Sequence, residues 1–216
     1  MDEKPRVVSL LSPNVQPFGA MGVIAYVLWI IIKTIFLPKI KKLSGRRFAV
    51  LGMKEAGKTR FYCFLRSVEY VEGQTSTDKY HEFTYKKKDG TEILIKEGYD
   101  IGGGENFIPE WYPKMLAESD SVIFVFDLYK YTNDENYKKQ TNARLDYINA
   151  HCDESKESLT LLTHIDKFGS KFKKAVDRFT DEIGKKPYGH FVLRNYAPVD
   201  MTRNDMLRAI EDKIFK

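Results

Sequence analysis

Apolar residues fall along this chain in two distinct patterns. Near the N-terminus, Phe18 to Ile32 are fifteen uncharged residues in a row; Lys33 and Thr34 interrupt, and Ile35, Phe36 and Leu37 carry the run to Pro38. The run has no polar face, so it predicts a helix that is apolar all round. Twenty helical residues from Phe18 to Leu37 span about 30 Å, one bilayer hydrocarbon core. Beyond Arg47, apolar runs of strand length alternate with longer segments of helical character. They predict strand 47–52, helix 58–70, and a hairpin of strands near 80–87 and 91–99 turning at Lys88-Asp89-Gly90. Strand 121–127, helix 134–151, strand 158–163, helix 170–183, strand 190–195 and helix 203–215 follow. Ser121 to Asp127 is apolar almost throughout, as a central strand covered on both faces would be. This alternation with one early hairpin predicts an α/β fold, a doubly wound and mostly parallel six-stranded sheet.

Charge orients the first segment. Asp2, Glu3, Lys4 and Arg6 cancel before the run, whereas Lys33, Lys39, Lys41, Lys42, Arg46 and Arg47 follow it. The positive-inside bias therefore places everything after Leu37 in the cytoplasm, with a single-pass helix in the lipid bilayer. A cleaved signal peptide fits poorly, because its basic residues would be on the wrong side. The expected organisation is a tail at 1–17, a transmembrane anchor at 18–37, a basic linker at 38–46 and one nucleotide-binding domain at 47–216. Composition agrees with a single packed domain: 216 residues, 43% hydrophobic and 30% charged. Cys63 and Cys152 lie far apart, which excludes a disulfide scaffold and a cysteine zinc site. The net charge of +5 is concentrated beside the apolar helix, so it is not a nucleic-acid footprint.

The candidate chemistry begins at Gly52-Met53-Lys54-Glu55-Ala56-Gly57-Lys58-Thr59, a full match to GxxxxGK[ST]. An apolar strand leads in and a helix, opening with Arg60, leads out. Two glycines let the backbone wrap a phosphate, so that successive N–H groups and a helix N-terminus face its oxygens. Lys58 then reaches the β- and γ-phosphates and the Thr59 hydroxyl ligates Mg²⁺. A second signal, Asp100-Ile101-Gly102-Gly103-Gly104, directly follows the apolar strand around Ile93 to Ile95. Asp100 there holds Mg²⁺ through water, and the Gly103 N–H meets a γ-phosphate. Loss of that phosphate would release the loop, the physical basis of a switch.

With Phe107-Ile-Pro-Glu-Trp111-Tyr112 and Val122-Ile-Phe-Val-Phe-Asp127 after it, the D-x-G-G loop resembles that of the Arf/Sar branch of small GTPases. That branch includes the β subunit of the signal-recognition-particle receptor, which also carries an N-terminal membrane helix. The resemblance covers residues 47–215 and is most specific at the phosphate loop. It implies guanine nucleotide and Mg²⁺ as ligands, a protein effector, and catalysis centred on Lys58, Gly103 and the position of Gly104.

Two departures alter those expectations. The family has a glutamine to orient the attacking water where this chain has Gly104, so hydrolysis should be slow or depend on a partner. The family's base-reading N-K-x-D appears here as Thr163-His164-Ile165-Asp166. Asp166 can still accept both the N1–H and the 2-amino hydrogen of guanine, a pairing adenine cannot match. Thr163 keeps a local hydrogen bond, and His164 stacks on the base differently from a lysine stem. The family's switch threonine, a further Mg²⁺ ligand, corresponds to Thr75 or Thr77, and the final base-contacting loop to Asp200-Met201-Thr202. The chain thus reads as a membrane-anchored GTP-binding switch, or alternatively as a non-hydrolysing scaffold that recruits a partner.

Overall fold

The computed structural model describes residues 26, 29, 30, 45–72, 77–184 and 195–215. The chain divides into two units, Met1–Leu43 and Ser44–Lys216. Of the expected anchor only Tyr26, Trp29 and Ile30 are described; all three are helical and exposed, and the two rings stack at 6.2 Å. The rest of 18–37 lies outside the described residues. Among the described residues, no helix is long and apolar enough to cross a membrane.

In the second unit, β1 (Phe48–Gly52), β6 (Ser121–Asp127), β7 (Glu157–Thr163) and β8 (Tyr196–Pro198) form a four-stranded parallel sheet in the order β1-β6-β7-β8. Every residue of β1 and β6 is buried, so both faces of the sheet are covered. Helices make the crossovers: α1 (Lys58–Arg66), α2 (Phe107–Glu118), α3 (Leu128–Asn133), α4 (Glu135–His151), α5 (Phe172–Gly184) and α6 (Arg203–Lys213). Three begin at side-chain caps. Asp127 accepts from the Lys130 amide, Asp134 from the Asn136 and Tyr137 amides, and Thr202 from the Asp205 amide. Helix α1 packs on α6 and α2 packs on α4. On one face of β6, Phe126 meets Phe124, Tyr131 and Phe179 with ring centroids 5.3–6.0 Å apart.

The hairpin appears as four short strands, β2 (Asp78–Tyr80), β3 (Phe83–Lys86), β4 (Glu92–Ile95) and β5 (Gly98–Asp100). Pairing runs Asp78↔Asp100 and Tyr80↔Gly98 in one ribbon, then Phe83↔Ile95 and Lys86↔Glu92 in the other. Both ribbons share one register, so this is a single hairpin interrupted at His81-Glu82 and Lys96-Glu97. The Lys87 amide to Thr91 carbonyl bond (2.8 Å) closes it at the expected turn.

The six-stranded sheet is corrected by this arrangement. The hairpin joins the upstream end of β1 through one parallel bridge, Arg46↔Ile95, and no continuous ladder connects β5 to β1. Among the described residues the parallel sheet therefore has four strands. The strand expected at 190–195 lies outside the described residues except for Asn195, whose carbonyl accepts from the Thr160 amide at 2.9 Å. Helix 58–70 is shorter than expected, because Ser67 ends it in the left-handed conformation at φ 56°.

The aromatic cluster around Phe126 sets the strength of the core. Phe126→Ala should lower unfolding free energy by about 3–5 kcal/mol, measured by denaturant titration. Val71→Ala, at an exposed site, should leave it nearly unchanged; equal effects would contradict this placement of the core.

Candidate functional site

Three strand ends build the site around the loop between β1 and α1. Gly52 leaves β1 with φ 142°, and a Cβ there would lie 2.0 Å from the Val125 carbonyl oxygen of β6. The neighbouring Met53 amide donates to that same carbonyl at 3.0 Å. From β5 comes the loop at Gly103, whose backbone lies directly against the phosphate loop. A Cβ on Gly103 would be 2.3 Å from the Lys54 nitrogen, so only glycine permits this approach. From the end of β7, the Thr163 hydroxyl lies 3.0 Å from both the Ala56 and Phe126 carbonyls and donates its one proton to either. The three sequence motifs thus meet at the C-terminal edge of the parallel strands, where open α/β sheets bind ligands.

A cavity of about 690 Å³ opens at this edge. Lys54, Glu55, Ala56, Gly57, Lys58, Thr59, Arg60, Gly103, Gly104 and His164 all line it. Gly52 and Met53 are buried beneath it. Asp166 is exposed within the 3₁₀ segment Ile165–Lys171 and is not part of the lining. Thr77 is half-buried just before β2 and also lies off the lining, while Thr75 is outside the described residues. Met201 reaches the cavity from the last loop, against Gly57, and its carbonyl accepts from Arg60 at 3.5 Å.

Lys58 is 6% exposed, and its Nζ donates to the Met53 carbonyl at 2.8 Å and toward the Gly52 carbonyl at 3.4 Å. Burial pushes its pKa down to about 8; Asp100 opposes the shift and Arg144 adds to it. Asp100 is also buried, and burial raises its pKa against the hydrogen bond from Thr59 and the charge of Lys58. Its Oδ1 is sealed from solvent with no hydrogen-bond partner. An orphaned carboxylate oxygen beside a threonine hydroxyl suits a hard divalent cation with its waters, so Mg²⁺ fits these residues.

Several lining groups had no site role assigned from sequence. Asp127, 1% exposed at the end of β6, has Lys167 Nζ at 3.3 Å and His164 Nδ1 at 3.4 Å from Oδ2. His164 Nδ1 also lies 3.0 Å from the Thr163 hydroxyl, and the residue adopts φ 60°. Burial lowers the His164 pKa, with Asp127 opposing. Across the rim, Lys130 pairs with Glu55 at 2.9 Å and holds its carboxyl below the usual range. The strand-end position of Asp127, just before a helix, was the available signal for it. Nothing local marks Lys130 or Lys167.

These features define an α/β protein with a parallel sheet and a GxxxxGK[ST] loop between its first strand and first helix. No protein-family model matches the chain, and no curated protein matches it. Among solved structures, it is similar to a bacterial selenocysteine-specific elongation factor, EF-Sec, with a TM-score of 0.53 at 15% identity. The match covers 79% of this chain and 28% of that one, so the chain spans little over a quarter of that structure. Likeness at that identity speaks for the fold.

The depressed Lys58 pKa predicts a pH signature. Between about pH 8 and the ordinary lysine value, the folded chain has released this proton while the unfolded chain keeps it. The Lys58 contribution to stability therefore rises with pH across that window and is lost as pH falls through about 8. Relative to Lys58→Met, the ligand-free wild type should gain stability by up to about 1.4 kcal/mol per pH unit there. Denaturant titrations at several pH values check this; a constant difference contradicts it.

Proposed function

We propose that this chain is a guanine-nucleotide-binding switch of the Arf-like kind, tethered to a membrane by residues 18–37 with its nucleotide domain in the cytoplasm. The observation that carries the reading is the Gly103 backbone seated against the phosphate loop beside buried Lys58. A loop so close to the phosphate site senses whether a third phosphate is present. Lys58 would exchange its carbonyl partners for β- and γ-phosphate oxygens, with the loop amides completing the cradle. Thr59 and Asp100, with the switch threonine at Thr75 or Thr77, would hold Mg²⁺, which neutralises charge on the phosphates when bound. Thr163 links the base side to the phosphate side through the Ala56 carbonyl, and His164 and Asp166 would meet the purine. Exposed Asp166 is free to accept the guanine edge, provided the base extends past His164.

Hydrolysis by this switch is slow or partner-assisted, because no glutamine follows Gly103. A non-hydrolysing scaffold that recruits a protein partner is the second reading, and Gly104 favours it specifically. The half-buried Phe107 and Trp111 stand at the start of α2, next to the loop that would move. They are the expected anchors for an effector.

Magnesium GTP should bind the wild-type chain, and Lys58→Ala should weaken it at least about a hundredfold by calorimetric titration. Wild-type affinity in that variant would remove the phosphate-loop assignment. Asp166→Asn should shift preference from guanine toward xanthine nucleotide; an unchanged ranking would remove its base-reading role. Single-turnover hydrolysis distinguishes switch from scaffold, and flotation with liposomes, lost on deletion of 1–37, checks the anchor.

A further inference from the structure

Arg144, in the middle of α4, is among the bulkiest sealed side chains of the described residues, at 2% exposure. A guanidinium is rarely buried without a carboxylate to balance it. Among the described residues Arg144 has none. Its Nη1 donates to the Gly52 carbonyl at 3.1 Å and approaches the Tyr112 hydroxyl at 3.5 Å, while Nε has no partner. Tyr112, on α2, accepts from the Gly52 amide at 3.3 Å. Both backbone polar groups of the first phosphate-loop residue are therefore held from behind by two different helices.

The Gly52 carbonyl is also shared, since Lys58 Nζ lies 3.4 Å from it. Two cations converge on one oxygen, and the buried carboxylate whose charge acts on Lys58 is the single Asp100. Lys58, Arg144 and Asp100 together leave one positive charge in excess. Low polarity strengthens both the repulsion between the cations and their attraction for an anion placed in the loop.

We propose that Arg144 is a positioning residue of the phosphate site: it holds the Gly52 carbonyl, presses Lys58 toward the ligand by like-charge repulsion, and takes the bound polyphosphate as its counter-charge. This rests on reading the loop as a polyphosphate site. When Lys58 turns to a phosphate, the Gly52 carbonyl loses one donor and keeps Arg144, while the Met53 carbonyl gives up its hydrogen bond from Lys58. A triphosphate, with more negative charge than a diphosphate, gains more from the arrangement. The Tyr112 bridge also gives α2, which begins beside Gly102–Gly104, a hydrogen bond to the loop.

The test is calorimetric titration of the full chain with magnesium GTP and magnesium GDP, beside melting curves without nucleotide. Arg144→Met keeps the aliphatic volume and removes the charge. It should weaken GTP at least about fivefold and GDP by less, while the empty protein melts no lower than wild type. Arg144→Lys restores the charge and should recover most of the lost affinity, a rescue that mere packing would not produce. GTP binding weakened less than fivefold in Arg144→Met overturns the proposal, as does a lysine variant no better than methionine. If Arg144→Met does not fold, Tyr112→Phe reports instead: it should weaken GTP measurably, and wild-type affinity there overturns the proposal. A wild-type chain that binds neither nucleotide refutes the polyphosphate reading and this inference together. Wild-type binding with an unaffected Arg144→Met refutes this inference alone.

Discussion

The structure depends on the clamping of one short loop at three points, each supplied by the end of a different strand. Val125 on β6 accepts the Met53 amide, Gly103 after β5 presses its backbone on Lys54, and Thr163 at the end of β7 reaches Ala56. None of these contacts leaves space for a substituent at Gly52 or Gly103. The parallel sheet exists, in functional terms, to bring those three ends into register. β7 pairs with β6 along its full length and β1 pairs with it from Ser121 to Val125, so a shift in either would move a clamp.

Electrostatics follow from that geometry. Closing the loop buries Lys58, and the helices behind it bury Arg144, while Asp100 is the buried carboxylate whose charge acts on Lys58. The result is a strained charge balance in a region of low polarity. On the proposed reading, a bound polyphosphate would relieve it, and the orphaned Asp100 oxygen would take the accompanying cation. The same layer touches α2 through Tyr112, so occupancy of the loop and the stance of the helix following Gly102–Gly104 share one hydrogen-bonded node.

Much of this was legible in the residues, and unevenly so. Strand 121–127 was readable to the residue because a fully apolar run bounded by Asp120 and Asp127 admits few other registers. The hairpin was readable from its Asp-Gly turn, and its single register bears that out. Its attachment was not. Whether β5 zips onto β1 depends on the interruption at Lys96-Glu97, a tertiary matter with no local signature. The GxxxxGK[ST] loop and the D-x-G-G turn follow from motif spacing, whereas the close approach of Gly103 to Lys54 is a finding of the structure. Arg144 was missed for the opposite reason. A charged residue within a helix ordinarily faces water, and its partner Gly52 is 92 positions away. The remaining signal was its place on the buried stripe of Tyr137, Thr141, Leu145 and Ile148.

The most direct test is to release and identify the nucleotide carried by the freshly purified chain, with Mg²⁺ measured in the same sample. Close to one equivalent of guanine nucleotide and one of Mg²⁺ per chain is the predicted result. A chain that carries no nucleotide and takes up none when titrated with magnesium GTP would contradict the central claim, that the loop from Gly52 to Thr59 is a cradle for polyphosphate.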